Sequence, residues 1–450
     1  RWNTKTICRN FHKQLIVMII VGEQYGYKKP KALDKDISKH HPILNKQPYS
    51  KEFKQKKNKS VCFQIDYNKI TDDYEFQTSY FVGVDWIVEN ELSIYIEPKV
   101  NKNNIEVSYL EMLLEALKET ENLNHLDHLC EIYFDKPTIT IDQKQDLLSP
   151  LLVVQYLHLL KRIVQKGLKK TYYPVVKNLN AKVKGKILVN ATIKNNHTKS
   201  KILYSYCKYE EFGLNSIENK VLKKALLFSQ KAIQNFRSVD TSALNSLFNY
   251  IQPAFIQVDN EVQVEELKTI KPNPLYKEYE QALKLAKLIL KRYSYTISEI
   301  NPTKIQTPPF WIDMSKLFEL YVFAKLKQRF PEKNEVIYHK NINYLELDFL
   351  INSKRENIFM VVDAKYKPQY TDRKINKEDI RQVAGYARLK EVYDILKVDY
   401  NKNIDCLIIY PNLNEGNEDF VNINFTVNPL KKYVGFYKLD IKLPFSNKTI

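Results

Sequence analysis

The stretch YLELDFLINSKRENIFMVVDAKYK, residues 344–367, constrains the fold more than any other part of the chain. It reads as two apolar β-strands joined by a polar turn. Each strand carries an aspartate inside its apolar run: Asp348 between Leu347 and Phe349, and Asp363 after Val361 and Val362. Burying a carboxylate is costly unless something compensates the charge. Strand side chains alternate faces, so Asp363 and Lys365 share one side and Ala364 takes the other. By the same rule Asp348 shares a face with Glu346, opposite Leu345, Leu347 and Phe349. On neighbouring strands the two aspartates converge, repel, and raise each other's pKa. A divalent cation removes that conflict, and hard oxygen ligands with open positions suit Mg²⁺, with Mn²⁺ as a substitute.

Lys365 could simply neutralise the aspartates as a buried ion triad. The strand-end position, where sites form in sheets of this kind, favours chemistry instead. The expected chemistry is metal-assisted phosphodiester hydrolysis. Asp348, Asp363 and the Ala364 carbonyl would hold the metal. Lys365 would orient or deprotonate the attacking water and stabilise charge on the phosphate.

Around this stretch, residues 311–329 read as one long helix with Met314, Leu317, Phe318, Tyr321 and Ala324 as its core stripe. Strands are expected near 335–340, 344–351 and 357–365, then a helix over 377–396 and a strand over 404–411. The order is α-β-β-β-α-β, and its strand–helix–strand crossover requires a partly parallel sheet. Gln382 and Tyr386 fall on one stripe of the second helix, opposite Ile380, Val383 and Ala387. Gln382 could bond the lysine, the water or a phosphate, or lie on an ordinary polar face. Glu319, off the apolar stripe of the first helix, is a candidate metal or water ligand or a surface glutamate. Glu346 is a runner-up ligand.

The remaining sequence is less specific. Lysine and arginine outnumber acids to give a net charge of +18, a field that attracts polyanions such as DNA. Residues 28–60 hold eleven lysines against three acids and are expected to form an exposed, mobile insertion. The run Leu15–Val21 is too short to span a membrane, lacks a small-residue cleavage site after it, and is expected to be a strand. Residues 61–100 read as strands, and 105–296 as mainly helical, with AKVKGKILV as a strand or hairpin edge. Helices are expected over 151–168, 217–235 and 276–292. His125, His128 and Cys130 form HxxHxC, but no second ligand cluster follows, so zinc is not expected. Five scattered cysteines without a CxxC read as reduced, partly buried thiols of a cytoplasmic protein. The proline-bearing stretch NPTKIQTPP, 301–309, sets the expected boundary between an adaptor region, 1–300, and a catalytic domain, 301–450. The overall class is α+β and multidomain.

The series Glu319, Asp348, Asp363-Ala364-Lys365 and Gln382-x-x-x-Tyr386 resembles the PD-(D/E)xK nuclease superfamily, with Leu347 in place of the proline. DMSKLFELYV, VVDAKYK and DIRQVAGYARL resemble, more closely, the McrC family of nuclease subunits of 5-methylcytosine restriction systems. LSIYIEPKV, GLKKTYYPVVKNLNAKVKGKI and YCKYEEFGLNSIENKVLKKAL extend the likeness over roughly 80–410. The resemblance implies a DNA endonuclease that works with a separate McrB-like AAA+ GTPase, docks in the motor ring through its amino-terminal part, and acts after the motor translocates DNA. A double-strand break would require a second copy of the chain. The sequence contains no GxxxxGK[ST] loop, so no nucleotide is expected on this chain itself. Two other readings stay open. One is a RecB-like defence or repair nuclease acting without a GTPase. The other is a non-catalytic subunit that binds DNA or regulates a motor.

Overall fold

The computed structural model describes residues 17–26, 29–32, 41–54, 60–99, 107–126, 128–142, 146–234, 242–261, 277–298, 304–367, 376–413 and 416–445. Helices and strands are both abundant and lie in several sheets, so the class is α+β. The chain forms two compact units, Arg1–Leu147 with Lys304–Ile450, and Leu148–Thr303. This division differs from the expected split at residue 300. The amino-terminal residues fold with the carboxy-terminal ones, and the middle of the chain is an insertion between them.

The first unit opens with β1 (Val17–Gly22), β2 (Lys31–Ala32), α1 (His41–Leu44), β3 (Tyr49–Phe53), β4 (Ser60–Asn68), β5 (Asp73–Thr78), β6 (Phe81–Val88) and β7 (Leu92–Glu97). It continues with α2 (Tyr109–Lys118), β8 (Cys130–Ile132) and β9 (Ile139–Asp142). The expected lysine-rich loop is only partly described. Residues 28, 33–40 and 55–59 lie outside the described set, but Tyr49–Phe53 is a strand paired with β4. It forms because Phe53 goes into the aromatic core with Phe63, Phe76 and Phe81, and that burial outweighs the local charge.

The second unit holds α3 (Leu148–Lys166), β10 (Thr171–Asn180), β11 (Lys186–Ile187), α4 (Val189–Asn195), β12 (Tyr204–Gly213), α5 (Ile217–Gln234), α6 (Ser242–Ile251) and α7 (Lys277–Ser298). The expected helices are present, and Lys186–Ile187 supplies the expected strand edge. The region is less helical than expected, because β10 and β12 pair over ten residues each. TYYPVVKNLN is rich in β-branched and aromatic residues and has no helical period.

The first unit resumes with β13 (Lys304–Thr307), β14 (Phe310–Asp313), α8 (Met314–Arg329), β15 (Val336–Ile342), β16 (Leu345–Ser353), β17 (Ile358–Ala364), α9 (Lys377–Tyr386), α10 (Lys390–Leu396), β18 (Asp405–Asn412) and β19 (Phe436–Lys442). Residues 311–313 were expected at the start of the long helix over 311–329. They belong instead to β14, a buried strand between β6 and β8 in the sheet β1-β7-β6-β14-β8. This strand explains why the two ends of the chain form one unit. Gly83 of β6 permits it: its φ is +148°, and a Cβ there would lie 2.1 Å from the Phe310 carbonyl oxygen. Asp85 of β6 is fully buried and bonded by Lys51 Nζ at 2.6 Å, Lys136 Nζ at 3.4 Å and Trp311 Nε1 at 3.1 Å. Tyr366 adds a further tie, donating to Glu23 at 2.8 Å while its carbonyl accepts from Gln24 at 3.1 Å.

The carboxy-terminal sheet runs β15-β16-β17-β18-β19. The first three strands are antiparallel, and β17, β18 and β19 are parallel. Leu350, Val361, Ile380, Val383 and Leu396 share one core cluster, and Phe323 of α8 stacks on Phe349 at 6.1 Å. The single helix expected over 377–396 is broken at Ala387–Leu389 into α9 and α10. Gly385 weakens the last turn of α9, and Leu389 turns inward to pack on the core. The strand β19 was not anticipated.

Candidate active site

The site forms where β16 and β17 stop pairing. Their backbone ladder runs to Phe349 opposite Val362. Just past it, the Ala364 N–H finds a side chain rather than a backbone acceptor and donates to Asp348 Oδ2 at 2.9 Å. On its other side the chain stays in the sheet, with the Lys365 N–H donating to the Ile409 carbonyl at 2.8 Å. Asp348 is therefore pinned to the end of β17, beside Asp363. Leu345, expected on the apolar face of β16, is exposed, and burial starts at Leu347.

Lys365 Nζ sits 3.0 Å from Asp363 Oδ1 and 2.9 Å from Oδ2. It also donates to Gln382 Oε1 at 3.2 Å, and Gln382 Nε2 donates to Tyr386 Oη at 2.7 Å. One polar chain thus runs from Asp363 through Lys365 and Gln382 to Tyr386. Packing of Ile380 and Val383 against the core turns this polar stripe of α9 toward the strand ends.

The electrostatics are those of a carboxylate pair in need of positive charge. Burial is the main reason the Asp348 carboxyl titrates well above the usual range, followed by the charges of Asp363 and Glu319; Lys365 and the Ala364 N–H oppose it. Burial likewise raises Asp363, against the pull of Lys365 and with added repulsion from Asp379 and Glu319. For Lys365, burial works to lower the pKa, but Asp363 and Asp348 outweigh it and hold the ammonium form. Asp363 Oδ2 is buried against the Lys365 ammonium, 2.9 Å away.

Two buried carboxylates that share a single lysine leave negative charge uncompensated, and this fits a divalent cation. Among the described residues, no three His, Cys, Asp or Glu side chains form a complete cation cage. Two carboxylates with open positions suit Mg²⁺, which keeps several waters, better than zinc. The His125 ring of the HxxHxC stretch packs on Tyr338 with centroids 4.7 Å apart.

Glu319 projects from α8 toward this corner. Its Oε2 lies 3.1 Å from His339 Nε2 and 3.8 Å from Lys316 Nζ. Glu346 reaches the other side of the same ring, with Oε1 2.9 Å from His339 Nδ1. Asp348, Asp363, Ala364, Lys365, Gln382 and Tyr386 therefore meet at one end of the carboxy-terminal sheet, with Glu319 and Glu346 joined to each other there through His339. Three neighbours were missed: Lys316, His339, and Asp379, which binds Lys367 Nζ at 2.6 Å. Lys316 stands three residues before Glu319 on one helix, a spacing that pairs side chains and could have flagged it. Nothing in the strand pattern marks His339.

The family model of the McrBC 5-methylcytosine restriction system component matches residues 77–411. The chain belongs to this family. The matched span contains every site residue named above, from Glu319 to Tyr386. Among solved structures, the chain is similar to one described as a half-complex from a tetradecameric assembly of Thermococcus gammatolerans McrB AAA+ hexamers with bound McrC. Identity there is 15%, coverage is 95% of this chain and 94% of that one, and the TM-score is 0.37. A second, the Thermococcus gammatolerans McrBC complex, has 15% identity, covers 71% of this chain and 90% of that one, and has a TM-score of 0.28. No curated protein matches the sequence. Among the described residues, no helix of this McrBC component is long and apolar enough to cross a membrane.

Proposed function

We propose that this McrBC component is the Mg²⁺-dependent DNA endonuclease subunit of a modification-dependent restriction system. The observation that carries the proposal is the meeting of Asp348, Asp363 and Lys365 at the end of β17, two buried carboxylates with one ammonium between them and the helix. Asp348 and Asp363 would hold the cation, with the Ala364 carbonyl as a third oxygen. The cation, when bound, would supply Lewis-acid polarisation of the scissile phosphate.

The remaining work falls to the chain itself. Lys365, held as an ammonium, orients the attacking water and offsets the charge that develops on the phosphate oxygens. Gln382 fixes the direction of the Lys365 side chain, and Tyr386 in turn fixes Gln382. Glu319 faces the aspartate pair from α8. One such site cuts one strand, so a double-strand break requires a second copy of the chain.

Family membership supports a McrB-like AAA+ GTPase as the partner that brings DNA to the site. The β10–β12 pair exposes Tyr172, Val176 and Phe212 and is the kind of apolar surface a protein partner would cover. Asp363→Ala and Lys365→Ala are each expected to lower DNA cleavage at least ~10²-fold with Mg²⁺ and the partner present, the size of losing a main electrostatic contributor. Partner binding should be unchanged. Cleavage at the wild-type rate by both variants would reject the assignment. Robust cleavage by the purified chain alone would replace the GTPase-driven reading with that of an autonomous nuclease.

A further inference from the structure

His339 has a backbone that strand geometry does not explain. Its φ is +51°, in the left-handed region that a non-glycine residue rarely occupies, and it sits in the middle of β15. The register shows the break: Tyr338 pairs with Phe349 and Lys340 with Leu347, while His339 is left out of the ladder directly opposite Asp348. Such an outlier costs stability and persists only where the surroundings over-determine it.

Here the surroundings are three charged groups. The Nε2 atom lies 3.1 Å from Glu319 Oε2 on α8, and Nδ1 lies 2.9 Å from Glu346 Oε1 on β16. Lys316 Nζ approaches Nε2 at 2.9 Å and is largely buried beside it. Glu346 is more than half exposed, but Glu319 is not, and it is close enough to add to the repulsion felt by both Asp348 and Asp363. The imidazole therefore braces the Glu319 carboxylate against the sheet, and the left-handed turn is what aims the ring there.

We propose that His339 is a positioning residue that, with Lys316, holds the Glu319 carboxylate on the Asp348 side of the site, where its charge strengthens the hold of the Asp348–Asp363 pair on a cation. The proposal rests on the nuclease reading, because it assigns His339 to the cation that this reading requires. Residues on neighbouring elements that orient ligands typically change metal affinity by about 10–100-fold when removed.

The test is Mn²⁺ binding by the full chain, followed by electron paramagnetic resonance, for the wild type, Asp363→Asn, Glu319→Gln, His339→Gly, His339→Asn and the Glu319→Gln/His339→Gly double variant. Glycine keeps the left-handed backbone and removes the ring, so the unfolding temperature should stay within about 3 °C. His339→Gly is expected to weaken Mn²⁺ binding about 10-fold. His339→Asn, which tolerates the same backbone and restores an amide donor, should recover most of that loss. In the Glu319→Gln background, His339→Gly should add nothing further, because both act through one carboxylate. Wild-type affinity in His339→Gly, or an undiminished effect when Glu319 is already glutamine, overturns the proposal. If Asp363→Asn binds Mn²⁺ as the wild type does, the cation site itself is wrong, and the role of His339 falls with it.

Discussion

Replacing Asp348 with asparagine should stabilise the metal-free protein while removing its response to Mg²⁺. Asparagine keeps the shape and an oxygen to accept the Ala364 N–H, so the bond at 2.9 Å survives and only the charge is lost. Asp348 is surrounded by two like charges, Asp363 and Glu319, and one opposite charge, Lys365. A unit-charge pair at 4 Å is worth about 4 kcal/mol at an effective dielectric near 20. One repulsion is cancelled by Lys365, and the remainder is weakened by distance and solvent. Adding the cost of burial, the substitution should stabilise the protein by on the order of 1–3 kcal/mol.

The pH dependence has a definite sign. The Asp348 carboxyl titrates higher when folded than when unfolded. Its favourable contribution is therefore complete at acid pH, below the unfolded value. It is lost as pH rises through the folded value, where the folded protein must give up a proton it holds more tightly than the unfolded chain. In EDTA, wild-type stability should fall over that window, and Asp348→Asn should fall less. Thermal unfolding between pH 4 and pH 8 measures both, with an expected advantage for the variant of roughly 2–6 °C at neutral pH. In Mg²⁺ the order should reverse, because only the wild type gains binding stabilisation. A variant no more stable than the wild type in EDTA at neutral pH would refute the argument that uncompensated negative charge dominates this corner.

Two other variants probe the scaffold and the polar chain. Asp85→Ala strands Lys51, Lys136 and the Trp311 indole around a buried void and should cost about 3–5 kcal/mol, read by chemical denaturation. Gln382→Ala removes the acceptor that steers Lys365 and should lower cleavage roughly 10-fold through kcat, with little change in DNA affinity; a purely KM effect would move Gln382 to substrate binding.

Much of the candidate site is legible in the sequence, because period-two alternation and helical spacing are local properties of the chain. They brought Asp363 and Lys365 to one side and put Gln382 on the same stripe as Tyr386, and the side-chain bonds agree. The family likeness over roughly 80–410 was likewise readable, and the matched residues are 77–411. Local pattern misled where a tertiary contact outweighed it. Residues 311–313 look like the first turn of a helix, but they lie in β14, buried between two strands more than a hundred residues earlier in the chain. Tyr49–Phe53 sits among lysines yet is a strand, because Phe53 reaches an aromatic core assembled from distant residues.

The amino-acid sequence alone determined the chemistry available at the site: two carboxylates, an ammonium and an amide, spaced so that regular strands and one helix present them together. Tertiary structure decided which part of the chain supports that site and what else faces it. The amino-terminal and carboxy-terminal segments join in one unit through β14, and His339 reaches Glu319 and Lys316 only because α8 and β15 pack side by side. The reason is physical. Alternation and helical period act between residues a few positions apart, whereas strand insertion and a bracing ring depend on long-range burial, which no short window of sequence contains.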